Sequence, residues 1–69
     1  MKRKNLKKAR LWVGETQFSL AQQVGVKEID ISRFECGRVS PMPSVALKIA
    51  KALDADVNRI FPELGLGAN

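Results

Sequence analysis

Few side chains in this sequence are suited to catalysis or metal binding. It contains no histidine and a single cysteine, Cys36, so it lacks a histidine base, an internal disulfide and the usual cysteine and histidine ligands of zinc. Its 12 lysines and arginines outnumber 7 acidic residues, and 6 of these cations fall in the first ten residues: Lys2, Arg3, Lys4, Lys7, Lys8, Arg10. This pattern favours binding of a polyanion. We therefore expect neither enzymatic activity nor a metal or other cofactor.

The length and composition predict one small folded domain. A chain of 69 residues with 45% hydrophobic and 28% charged residues has the composition of a globular protein and room for one minimal core. The stretch Leu11–Val13 is too short for a secretion signal, and no segment approaches the length of a membrane span. A small domain without disulfides is typical of a reducing compartment. We expect a single cytoplasmic domain over residues 1–64, nucleoid-associated if the polyanion is DNA, and a frayed tail over residues 65–69.

Helical periodicity covers most of the chain, and no strand pattern occurs. Apolar residues recur at three- and four-residue spacing in several segments separated by glycine, proline or capping residues. The predicted boundaries are Gly14 after the first helix, Thr16 before the second, Gly25 and Gly37 around the third, Pro43 at the start of the fourth, and Asp56 and Pro62 around a short fifth. The sequence thus predicts an all-α protein.

Residues 17–36 match the pattern of a helix-turn-helix motif, in which the second helix enters the major groove of DNA. Ala21 is small where the two helices approach closely, and Gly25 suits the turn between them. The expected core positions are all apolar: Leu20, Val24, Val26, Ile31. An αα-hairpin that only packs is the alternative interpretation.

The chain as a whole resembles the phage repressor and Cro family of lambda-repressor-like, Xre-type domains. The matching segments are Thr16-Gln17, Leu20-Ala21, Val24-Gly25-Val26, Ile31-Ser32-Arg33, Glu35-x-Gly37-Arg38, Pro41, Leu47 to Leu53, and Ile60-Phe61. The resemblance extends from about Leu6 to Leu64 and implies a five-helix DNA-binding domain. It further implies a transcriptional regulator, with repression as the expected mode, that binds a palindromic operator in double-stranded DNA as a homodimer. Its dimer interface is expected near helix five, at Val57 and Asn58.

The same resemblance assigns DNA contacts residue by residue. It implies that Glu28, Ile29, Ser32 and Arg33 face the groove as base readers, together with Lys27, and that Gln17 and Arg38 contact phosphates. We also expect phosphate contacts from Lys27 and from Lys7. Arg33 is the best base reader on physical grounds, because its planar guanidinium can bond guanine O6 and N7 together. The alternative for Arg33 is a solvated surface cation.

Arg10 and Glu35 resemble the family's buried ion pair between helices one and three. Each also falls on the apolar stripe of its own helix, where an unpaired charge would be costly. We expect a structural ion pair, and two independent surface charges are the alternative.

Several residues differ from those usual in the family, at capping positions and on the surface, and they lead to further predictions. Lys27 and Met42 stand where capping residues are usual, and Glu15 replaces an apolar residue before helix two. Leu11, Trp12 and Phe18 are apolar where relatives are often charged. We expect Trp12 to pack into the core, since single aromatic residues usually bury.

If Leu11, Trp12 and Phe18 were exposed instead, they would indicate a surface for a protein partner. The alternative function is then a protein-interaction module of the same fold, an antitoxin or a bridging factor, with secondary DNA binding. A membrane-surface binder is disfavoured because Gly14 ends the basic helix after about three turns. We therefore expect no membrane partner.

Overall fold

The computed structural model describes residues 3–65, which form an all-helical fold. The helices are α1 (Lys4–Trp12), α2 (Gln17–Val24), α3 (Glu28–Cys36), α4 (Pro43–Ala52) and α5 (Val57–Ile60), and a 3-10 turn follows at Pro62–Leu64. No strand occurs within this range. The predicted all-α class is thus confirmed. Of the tail predicted to fray, residues 66–69 lie outside the described residues.

Helix α2 is capped at both ends by the residues that the sequence indicated. At its start, Ser19 N donates to Thr16 Oγ1 at 2.9 Å and Thr16 N donates to Ser19 Oγ at 2.9 Å, a reciprocal capping box. At its end, Gly25 has a φ of +87°, and Ala21 O accepts hydrogen bonds from Gly25 N at 2.8 Å and Val26 N at 3.0 Å. This left-handed glycine turns the chain directly into α3.

The starts of α3 and α4 lack a capping side chain at the preceding residue. The Lys27 side chain has no acceptor atom and makes no capping hydrogen bond, but Asp30 accepts from Lys27 N at 3.1 Å. Met42 likewise offers no cap to α4, which begins with Pro43 at its first position. Asp30 therefore supplies its own half of a capping box, and the half that the Lys27 side chain would supply is absent.

The core lies between α2, α3 and α4 and is closed by α1 and the residues around α5. Its largest fully buried side chains are Phe61, Leu6, Leu20, Ile31, Ile49 and Ile60. Ala21 is only 2% exposed where α2 meets α3, as its small size predicted. The core thus fixes α3 against α2 along one side.

Trp12 does not pack into this core, and the prediction that it does was wrong. Its side chain is 90% exposed at the end of α1. The buried residues of α1 are Leu6 and Arg10, and a helical step of two residues, about 200°, turns Trp12 to the opposite side from Arg10. Glu15, which replaces an apolar residue before α2, makes polar contacts instead. Its carboxylate accepts hydrogen bonds from Ser19 Oγ at 2.6 Å and Gln23 Nε2 at 2.7 Å.

None of the helices within residues 3–65 is both long and apolar enough to span a membrane.

Candidate nucleic-acid interface

Helix α3 has one face buried against the rest of the protein and one face exposed to solvent. Ile31, Phe34 and Glu35 are buried. On the other side Glu28, Ile29 and Arg33 are exposed, and Ser32 is half-buried. The four residues expected to read bases thus occur on a single helix, and three of them are exposed.

The exposed face of α3 carries a cation at Arg33 and an apolar side chain at Ile29. The ion pairs within residues 3–65 are Arg3 with Glu63 and Arg10 with Glu35, so Arg33 has no acidic partner there. Ile29 is 52% exposed although it is apolar. The face therefore presents two different groups: the Arg33 cation, which can make a bidentate contact, and the apolar side chain of Ile29.

The acidic residues of α3 have different environments. Asp30 is half-buried and accepts the Lys27 backbone hydrogen bond, so its carboxylate is engaged in capping the helix. Glu28 is exposed in the first turn of α3, where a negative charge is favourable to the helix dipole. Glu28 is consequently the more accessible of the two acids at the start of α3.

Two of the four expected phosphate-binding residues flank α3, and the other two lie on α1 and α2. Lys27 is exposed immediately before the helix, and Arg38 is exposed just after it, where Arg38 N donates to Arg33 O at 3.1 Å. Lys7 is exposed on α1, outside the α2–α3 pair. Gln17 begins α2, but its amide nitrogen donates to Glu35 Oε1 at 3.0 Å. A phosphate contact by Gln17 is therefore left to the second hydrogen of its amide nitrogen or to its backbone N–H.

A buried network holds this arrangement in place. Arg10 Nε donates to Glu35 Oε2 at 2.5 Å and Arg10 Nη2 donates to Glu35 Oε1 at 3.2 Å, and both residues are 7% exposed. Arg10 Nη1 also donates to the Glu15 carbonyl at 2.9 Å. Together with Gln17, these contacts join α1, the start of α2 and the end of α3.

Arg3 has a role that sequence reasoning missed, because it was counted with the cations that attract a polyanion. Its side chain is only 10% exposed and pairs with Glu63. The guanidinium also donates to Val39 O at 2.9 Å and Ser40 Oγ at 2.9 Å, and it stacks over the Phe61 ring with its carbon 5.2 Å from the ring centre. No signal in the basic N-terminal run distinguishes Arg3 from its neighbours.

The residues expected to contact protein partners differ in accessibility. Val57 and Asn58 are both half-buried, and Val57 packs against the core. Leu11 and Phe18 are 58% and 54% exposed. Apolar surface is therefore more available on α1 and α2 than on α5.

Comparisons of this chain with protein-family models, with curated proteins and with solved structures find no match.

Proposed function

We propose that this protein is a sequence-specific regulator of transcription that binds double-stranded DNA through a helix-turn-helix in a lambda-repressor-like domain. The observation that carries this proposal is the α2–α3 pair, joined by the left-handed Gly25, with the outer face of α3 open to solvent. An α-helix supported from behind and exposed in front fits the major groove of B-DNA. Repression is the mode that the family resemblance implies.

In this proposal the exposed residues of α3 read base edges. Arg33 bonds guanine O6 and N7 through its guanidinium, and Ile29 meets the methyl group of thymine. Glu28 accepts from the amino group of cytosine, and Ser32 bonds a neighbouring base edge. The buried pair of Arg10 and Glu35 supports this role by holding the end of α3 rigid.

Phosphate contacts hold the helix in register on the duplex. Lys27 and Arg38 are exposed at opposite ends of α3, and Lys7 adds a cation from α1. The amides that open α4 and α2 supplement them, as helix starts attract anions. Arg3 is not in this set, because its charge is already paired with Glu63.

Useful specificity requires more than the base pairs that one small domain can reach. We therefore propose a homodimer on a palindromic operator, with two α3 helices about 34 Å apart and half-sites about 10 base pairs apart. A cytoplasmic, nucleoid-associated location follows from this proposal.

The decisive experiment is selection of bound duplexes from a random pool. The expected result is enrichment of a palindromic consensus with half-sites separated by about one helical turn. The Arg33→Ala variant, selected in parallel, should enrich a consensus that has lost information at one position of each half-site. Failure of the parent protein to enrich any sequence would refute the proposal.

A protein-interaction module is the second candidate function. It is favoured by the exposed Leu11, Trp12 and Phe18, which are apolar and lie outside the face of α3. This candidate predicts weak DNA binding without sequence preference, so the same selection separates the two functions.

A further inference from the structure

The connection between α3 and α4, residues 37–42, carries the exposed Arg38 and leads into the uncapped start of α4. Both are phosphate contacts in the proposed complex with DNA. From residue 39 to residue 41, however, no backbone group forms a hydrogen bond with another backbone group of the described residues 3–65. Pro41 is buried and fixes one point of this stretch by packing. The rest of its attachment must come from side chains.

Arg3 and Glu63 provide that attachment. Arg3 Nη1 donates to the Val39 carbonyl at 2.9 Å, and Arg3 Nη2 donates to Ser40 Oγ at 2.9 Å. Ser40 Oγ donates to Glu63 Oε2 at 3.0 Å, and the same carboxylate oxygen accepts from Arg3 Nε at 3.0 Å. Every hydrogen bond that holds residues 39–41 within the described chain therefore involves Arg3 or Glu63.

Arg3 is itself fixed to the end of α3. Its backbone N donates to the Glu35 carbonyl at 2.9 Å, and its guanidinium donates to the Phe34 carbonyl. A cation beside the last carbonyls of a helix is favourable to the helix dipole. The guanidinium also lies over the Phe61 ring, and the side chain is only 10% exposed. Arg3 thus joins the end of α3, the α3–α4 connection and the 3-10 turn.

We propose that Arg3, paired with Glu63, is a positioning residue for DNA binding: it holds the α3–α4 connection in the conformation in which Arg38 and the start of α4 meet phosphates. This inference rests on the proposed function and adds to it a residue that does not touch DNA. A segment already held in its bound conformation loses less conformational entropy on binding. The pair acts on the connection, whereas the pair of Arg10 and Glu35 acts on α3 itself.

The expected effect is a loss of affinity without a loss of phosphate contacts. A connection released from Arg3 is still tied to α3 and α4 at its ends, so DNA can order it again at an entropic cost. We expect Arg3→Ala to weaken binding about tenfold, which corresponds to the ordering of roughly one residue. Preferred and scrambled duplexes should be affected alike, because phosphate contacts carry no sequence information.

The first measurement needs no DNA. Backbone nitrogen-15 relaxation of the free protein reports the order of the Val39 and Ser40 amides on the picosecond to nanosecond timescale. Their order parameters should be close to about 0.85 in the parent, as in a rigid backbone, and should fall to about 0.6 or below in Arg3→Ala. The amides of α2 should keep their parent values, because this helix makes no contact with the released connection through Arg3.

Titration of DNA provides the second measurement. The matched control is Lys4→Ala, since Lys4 is exposed, lies next to Arg3 and takes part in neither ion pair found within residues 3–65. Both variants lose one positive charge, so a larger loss of affinity for Arg3→Ala isolates the positioning effect. Arg3→Ala should also cost less when Arg38 is already replaced by alanine, because part of its effect passes through Arg38.

Ser40→Ala is a second variant, which decides the matter if Arg3→Ala does not fold. It leaves the ion pair of Arg3 and Glu63 in place and removes only the hydroxyl that joins this pair to the connection. It should lower the order parameter of the Val39 amide and weaken DNA binding, in both cases by less than Arg3→Ala.

Three outcomes would overturn the inference. The first is unchanged order parameters in the variants that circular dichroism shows folded. The second is a loss of affinity no greater for Arg3→Ala than for Lys4→Ala. The third is a salt dependence that falls by about one unit more for Arg3→Ala than for Lys4→Ala, which would make Arg3 a phosphate contact. A parent that binds no duplex refutes the proposed function as well, whereas these outcomes in a parent that binds DNA refute only the positioning role.

Discussion

Glu35 is paired with Arg10, 25 residues earlier in the chain, through two hydrogen bonds inside the protein. The same carboxylate accepts a third hydrogen bond from Gln17, and Arg10 reaches the Glu15 carbonyl. A guanidinium presents its donors in a fixed planar fork, so this pair constrains direction as well as distance. This buried pair therefore helps to fix the angle of α3 to α1 and α2, together with the apolar core.

We predict that Arg10→Ala destabilises the protein by about 3–5 kcal/mol, because it leaves the buried Glu35 without its charged partner. Urea unfolding followed by circular dichroism measures the loss. The exposed Arg33→Ala is the control and should change the free energy of unfolding by no more than about 0.5 kcal/mol. An Arg10→Ala protein that unfolds at the same urea concentration as the parent would contradict the structural role of the pair.

We predict that Gly25→Ala costs about 1–2 kcal/mol of stability, since an alanine must adopt the left-handed conformation between α2 and α3. A Cβ at this position would meet no atom within 4 Å, so the cost is that of the backbone alone. Asparagine tolerates this conformation better, and Gly25→Asn should lose clearly less. Equal unfolding midpoints for the alanine and asparagine variants would show that the turn rearranges.

The ion pair of Glu63 predicts a dependence of stability on pH. Burial of the Glu63 carboxyl raises its pKa, but hydrogen bonds from Arg3, the Glu63 backbone and Ser40, together with the charge of Arg3, outweigh burial and hold the pKa below its ordinary value of 4.5. A carboxyl whose pKa is lower in the folded protein stabilises it fully above the unfolded pKa. That contribution is lost as the pH falls through the folded value.

The parent should therefore be more stable than Glu63→Gln at neutral pH, and the difference between them should shrink as the pH falls below 4.5. Urea unfolding of both proteins across the acidic range measures this difference. A difference that stays constant with pH would mean that the glutamine acts through packing rather than through the lost charge.

We predict that Arg33 and Arg38 contribute differently to DNA binding. Arg33→Ala should cost about 1–3 kcal/mol on the preferred duplex and little on a scrambled one, since a base contact is lost. Arg38→Ala should weaken binding to both duplexes alike and lower the magnitude of the salt dependence by about one unit. Titrations of both duplexes at several salt concentrations provide the comparison. Equal losses for Arg33→Ala on the two duplexes would make Arg33 a phosphate contact.

The sequence by itself determined the local structure of this protein. The spacing of Leu20, Val24 and Ile31 identifies residues that are buried in the fold, and Gly25 marks the turn between two helices. These features depend on helical periodicity and on the backbone freedom of glycine, both of which are properties of neighbouring residues. The residue types and their spacing were therefore enough to predict these features.

Only the tertiary structure decided what Trp12 and Arg3 do. Trp12 stays exposed because no helix within residues 3–65 packs over its side of α1, and a sequence pattern does not reveal which surfaces remain uncovered. Arg3 is not an accessible cation, because its charge is paired with Glu63, which is 60 residues later in the chain but lies beside it in the fold. Both outcomes depend on contacts between distant segments, which exist only after the helices have packed.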